Sequence, residues 1–323
     1  MSTQRRRDWT PYGLPTILAK TCELTAFYAA NLRASPRQEL SSHVGLVTMD
    51  MTVALMLAHP TLYWMNKRAV DTAVGLAARG VPNHTTEEIL ASSEVAENGF
   101  LCFEKPIGMW RWQGVDVPLD GLIWGTQYEP RSGRDRFCVD LLSRITGHRE
   151  MISDLRRDTP LIAVNGLYYD SFEVMWQSDI PAPPGAEYVP TPDEWGRLTS
   201  LIASVLLTLG QPRMVSQRVL SQRDGVVVPR EVDGAKKNSS WEVVLIDLLR
   251  PPHHNDAGKS GRHSREYDHR WWVKGHWKMQ PCGPGNSLRK IIYVEPHTKG
   301  PAEKALVNPA RVNVIRSDAS PPT

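Results

Sequence analysis

Apolar residues recur at helical spacing through the first part of the chain. Leu40, Val44, Val47, Met51, Leu55 and Met56 fall on one face of a helix that would run from Ser35 to about Ala58. A second run, about Thr61 to Arg79, ends at Gly80 with Pro82 beyond, a favourable helix stop. An earlier run, about Thr16 to Leu32, follows Pro15. Three helix starts carry capping chemistry. Ser35-Pro36 with Gln38, Thr191-Pro192 with Glu194, and Thr85 with Glu88 each offer a hydroxyl to an orphan backbone N–H. The later side chain reaches back to the cap's own N–H. The pattern predicts a helical region over 1–96. Its methionines Met49, Met51, Met56 and Met65 suit a helical core or an adaptable binding groove.

After Glu97 the segments shorten. "GFLCFEKPI", "VPLDGLIWGTQY", "DRFCVDLL" and "LIAVNGLYYD" are aromatic or β-branched and separated by Gly, Pro and Asp, which predicts strands of an antiparallel or mixed sheet. A helix from Thr191 then puts Trp195, Leu198, Ile202, Val205, Leu206 and Leu209 on one stripe and stops at Gly210 and Pro212. It is apolar enough to pack centrally against that sheet. "WEVVLIDLL" (241–249) returns to strand character, while 221–240 and 250–267 read as polar connections. A hairpin over 267–295 is expected in the main sheet, then "PARVNVIRS" as a last strand, with 317–323 a disordered tail. The reading is α+β: helical region 1–96, then a β-rich α+β region 97–316 with one central apolar helix.

Composition changes this picture little. The 323-residue chain is 41% hydrophobic and 23% charged, close to globular norms. Its 25 prolines argue for many turns rather than a long helical bundle. The net charge of +3 is too small to mark a nucleic-acid partner. Its distribution says more: from Pro251 to Pro301, nine Lys/Arg stand against four acids, a local +5, with six of the ten histidines. Cys22, Cys102, Cys138 and Cys282 form no CxxC pair, which argues against a disulfide framework or structural zinc and for a reducing cytoplasm. No apolar run approaches bilayer-spanning length, and "MSTQRRRDWTPYG" has a charged start with no apolar stretch behind it. Neither a membrane partner nor secretion is expected.

The stretch with the most chemistry is "HRWWVKGHWKMQPCGPGNSLRKIIYV" (269–294). Strand alternation puts Tyr267, His269, Trp271 and Val273 on one face and Asp268, Arg270, Trp272 and Lys274 on the other. Lys278, Arg289 and Lys290 would extend the positive surface through the turn. Such residues can neutralise phosphates while an exposed indole stacks on a base. The same pattern also describes a sheet edge kept soluble by charge. "GPGNS" can cradle an anion or simply turn the chain, and it lacks the spacing of a phosphate-binding loop. His276 near Cys282 and Ser287 is a catalytic candidate without an orienting partner. No His-x₃-His or HExxH spacing supports a metal, and no cofactor is implied. Asp116, Asp120, Asp135, Asp140 and Asp170 lie near predicted strand ends, where a metal-dependent nuclease would hold them.

One resemblance rests on this region. A W-x-V-x-G-H-W-[RK]-x-Q core (Trp271 to Gln280) is followed by Gly283-Pro284-Gly285, a short strand Ile291 to Glu295, and P-x-x-K-G-P at Pro296 to Pro301. This resembles the end of an uncharacterised protein family from actinobacteria and their phages and mobile elements. The resemblance implies a bacterial cytoplasmic or phage-encoded protein and assigns no catalytic residue. The leading expectation is a nucleic-acid-associated accessory protein, DNA-binding, of a phage or mobile element. Arg270, Trp272, Lys274, Lys278, Arg289 and Lys290 would carry it. The alternatives are an enzyme such as a nuclease or toxin-like factor using His276 and strand-end acids, and a protein-interaction module. Oligomeric state is not legible.

Overall fold

The computed structural model describes residues 9–34, 50, 52–112, 115–129, 134–144, 161–170, 173–176, 192–227, 241–249, 269–301 and 303–305. The cap at Ser35, the start of the 35–58 helix, Thr191, the 250–267 connection, the "PARVNVIRS" strand and the tail lie outside the described residues. In chain order the elements are α1 (Leu14–Ala34), α2 (52–57), β1 (Thr61–Met65), α3 (Lys67–Ala77), α4 (Thr86–Ser93), β2 (Gly99–Phe103) and β3 (Met109–Trp112). Then come β4 (Val115–Pro118), β5 (Gly121–Glu129), β6 (Arg134–Arg144), β7 (Leu161–Asp170), β8 (Glu173–Trp176) and α5 (Pro192–Leu209). The last are β9 (Val215–Leu220), β10 (Val243–Leu248), β11 (Trp271–Val273), β12 (His276–Cys282), β13 (Leu288–Val294) and β14 (His297–Lys299). Helices plus a mixed sheet make the fold α+β, as the sequence pattern indicates.

Leu62, Tyr63, Trp64 and Met65 of β1 are all buried, so this strand has no solvent face. A strand of that kind belongs inside a sheet covered on both sides. β1 pairs in parallel with β2 and with β10, in an eight-stranded sheet ordered β8-β7-β6-β5-β2-β1-β10-β9. The other pairings in that sheet are antiparallel. The expected helix from Thr61 to Arg79 is therefore β1 followed by α3. Four consecutive large apolar residues fit a buried strand as well as a buried helical turn. Asn66 separates the two: its side chain accepts from Ala69 N at 2.8 Å and caps α3. At α4 the expected capping box is present, with Glu88 N donating to Thr85 Oγ1 at 3.2 Å and Thr85 N to Glu88 Oε2 at 2.9 Å.

One face of the sheet carries Leu62, Trp64, Phe100, Cys102, Ile123, Cys138, Leu142, Val243 and Leu245, packed with Leu14, Ile17 and Leu18 of α1 and Leu55 and Met56 of α2. Residues of opposite parity face the other way. On β1 these are Tyr63, stacked on Trp124 with centroids 5.6 Å apart, and Met65. α3 packs on β10, and α5 packs on α3 and α4. From Ile202 to Leu209 every residue of α5 is buried, so its stripe widens to a helix covered all round. β9 went unforeseen because Ser216, Gln217, Arg218 and Val219 are all exposed, which erases the alternation that marks a strand.

The described residues divide into two compact units: Met1–Pro251 with Trp277–Ile292, and Pro252–His276 with Tyr293–Thr323. In the first, β12 and β13 form a two-stranded sheet of their own instead of joining the main one. Trp277 anchors it. Its ring is buried, Nε1 donates to Ser204 Oγ at 3.1 Å, and that hydroxyl donates to Ala73 O at 2.8 Å. Ile291 N adds a bond to Ser92 Oγ at 2.9 Å. The hairpin is thus held by side chains of α4 and α5, with a backbone carbonyl of α3 behind Ser204. In the second unit β11 pairs antiparallel with β14 as a short ribbon. Trp277→Ala is expected to cost about 3–5 kcal/mol in denaturant unfolding, and Trp277→Phe a smaller amount, since it keeps ring packing and leaves Ser204 without that donor.

Candidate functional site

The ribbon keeps the alternation expected from sequence. Trp271 and Val273 are half-buried and Trp272 is 52% exposed. Trp272 stands opposite Thr298, and Arg270 donates from Nη2 to Thr298 Oγ1 at 3.1 Å, so Arg270 lies along the same face. Lys274 is exposed just past the end of β11. Trp271 takes the other face, its ring centroid 5.6 Å from that of His269. Gly300 has φ +105°, and a Cβ there would come within 2.3 Å of His269 O. Only glycine lets the two backbones approach this closely. β14 itself was not foreseen: "HTK" has no apolar residue to mark it.

The remaining three basic candidates lie on the hairpin, in the other unit. Lys278 is exposed on β12. Lys290 Nζ pairs with Glu94 Oε1 at 3.0 Å. Arg289 turns back on its own loop, donating from Nη1 to Asn286 O at 2.8 Å and Leu288 O at 3.2 Å. Between the strands, Gly283 (φ +75°) and Gly285 (φ +60°) supply left-handed backbone, which is what a tight turn requires. His276 is half-buried with Nδ1 3.1 Å from Lys274 O.

The strand-end acids do not assemble either. Among the described residues no three His, Cys, Asp or Glu side chains group so as to hold a metal. Asp116 and Asp135 are exposed, and the side chain of Asp170 lies outside the described residues. Asp120 is fully buried and bound by Arg144, from Nε to Oδ1 and from the backbone N to Oδ2, both at 2.9 Å. The Arg144 guanidinium lies 4.7 Å over the Trp9 ring, and Trp9 Nε1 donates to Phe103 O at 2.9 Å. This network ties the start of the described chain to β2, to the residue just before β5 and to the end of β6. Asp140 is also fully buried and takes a hydrogen bond from Thr52 of α2 on Oδ2, while Oδ1 has no partner among the described residues. Burial pushes its carboxyl up to about 7, partly offset by the Thr52 hydroxyl. Met56 and Met65 are core residues, and Met49 and Met51 lie outside the described residues, so no methionine groove is seen among those described.

Residues 106–297, more than half of the chain, match the AcrVA2-like family, described as the anti-CRISPR type V subtype A2 family. The chain belongs to this family. The matched span contains all six basic and aromatic candidates, the hairpin and α5, and excludes β1 and β2. Among curated proteins nothing matches the chain. A solved structure, "Crystal structure of AcrVA2", is similar over 85% of each chain with 12% sequence identity and a TM-score of 0.42. Membership corrects the expectation of a DNA-binding accessory protein, because the family is described as anti-CRISPR and not as DNA-binding. No helix among the described residues is long and apolar enough to cross a membrane.

Asp140 gives a pH test of the core. Its carboxyl is raised from 3.8 to about 7, so the native state holds a proton that the unfolded chain releases near pH 4. The contribution is complete below about pH 4 and is lost as pH rises through about 7, roughly 4 kcal/mol in all. Denaturant melts from pH 4 to 8 should show this decline, and Asp140→Asn should flatten it.

Proposed function

We propose that the protein inhibits a type V CRISPR system by binding a protein component of it, the Cas effector. The family match over residues 106–297 carries this reading. A protein partner replaces the nucleic acid suggested by the basic stretch. The site of action is the bacterial cytoplasm, where such an effector operates. A gene carried by a phage or mobile element of actinobacteria accords with this reading. The resemblance of Trp271–Gln280 and Pro296–Pro301 to a family from such sources supports that origin.

The test is interference in cells. A bacterium carrying a type V system targeted to a phage or plasmid should lose most of its interference when the protein is expressed. Plating efficiency should rise by orders of magnitude. Undiminished interference with the full-length protein present, across several type V effectors, would sink the proposal.

A further inference from the structure

We infer that the Arg270–Trp272–Lys274 face of the β11–β14 ribbon is a docking surface for an acidic protein surface on the effector, an inference that rests on the function proposed above. Among the described residues with placed side chains, Trp272 is the tryptophan left exposed, at 52%. Trp277 is buried, and Trp271 is half-buried beside His269. A lone exposed leucine or valine needs no explanation, and the fold has several, but a half-exposed indole offers a large apolar ring of the kind enriched at interfaces. This one sits on a strand whose backbone is fixed by pairing with β14, so its position is set before any partner arrives.

Its surroundings define the partner. Arg270 is fixed on the same face by Thr298, and Lys274 is exposed two residues beyond Trp272. Arg270 and Lys274 thus flank the indole with two positive charges, while Lys299, paired with Trp271, takes the other face. Tryptophan and arginine are the residues that most often dominate protein interfaces, and a cationic rim selects and steers an anionic partner. An aromatic anchor flanked by cations therefore fits an apolar pocket bordered by Asp and Glu.

The experiment uses the full chain and a purified type V effector, with and without guide RNA. Trp272→Ala with Lys274→Glu should weaken effector binding at least tenfold, and binding by the wild type should weaken with salt. Interference should return in cells at matched expression, with the melting temperature unchanged. Lys20→Glu, the same charge change on an exposed position of α1, should stay within twofold of wild type. If the double variant melts early, Lys274→Glu alone is read, with at least a threefold loss expected. Wild-type effector affinity in the variants would overturn the inference, as would a loss confined to binding of free guide RNA or target DNA. A wild type that protects cells without binding the effector would overturn it too. Failure of the function itself reads differently, because then the unmodified protein gives no protection and the docking inference falls with it.

Discussion

The burial of β1 on both faces is the constraint around which the first unit is organised. Four consecutive large apolar side chains, Leu62 to Met65, point alternately to opposite sides of the sheet. One set needs α1 and α2 above it, and the other needs the layer that contains α3. β1 pairs in parallel on both flanks, with β2 and with β10, and parallel neighbours need crossover connections that carry the chain back to the end of the sheet where the strand began. β10 is separated from β1 by well over a hundred residues, so the centre of the sheet closes only after most of the chain is available. The antiparallel arm β5 to β8 extends the sheet by local connections from there.

The two buried acids of this core meet different surroundings: Asp120 is paired, while Asp140 keeps one oxygen without a partner among the described residues. Asp120 has its Arg144 partner, the guanidinium has Trp9, and Trp9 has Phe103 O. A buried charge is tolerated when hydrogen bonds and an opposite charge replace water, and this one has both. At Asp140 burial raises the carboxyl to about 7, and the hydrogen bond from Thr52 offsets only part of that shift. These two acids read as nuclease-like candidates in sequence because acids at strand ends are common to both situations. The hairpin repeats the theme: Trp277 reaches Ser204, whose hydroxyl passes the hydrogen bond on to Ala73 O.

Legibility differed by the kind of signal. Local signals were reliable: the Thr85–Glu88 capping box, the stop at Gly80, the strands after Glu97 and the turn at Gly283–Gly285 all stand as the sequence suggests. Signals that depend on a distant partner were ambiguous. β1 reads as helix because a fully buried strand has no polar face to reveal its period of two. β9 and β14 were silent, one because exposure at an edge removes the apolar alternation, the other because three polar residues pair only through the backbone. In the candidate site, the alternation of Trp271, Trp272 and Val273 was readable, whereas the commitments of Lys290 to Glu94 and of Arg289 to its own turn were not.

By itself the sequence determined the fold class, the chain-local caps and turns, and which ribbon residues face solvent. Each of these depends on neighbours within a few positions, where backbone sterics and side-chain spacing decide the outcome. The tertiary structure alone decided that the hairpin leaves the main sheet for α3, α4 and α5. It also decided that Asp120 and Asp140 are buried and that Lys290 pairs with Glu94. Those outcomes turn on contacts between residues far apart in the chain, such as Trp277 with Ser204 or Lys290 with Glu94, and no pattern within a short window encodes them.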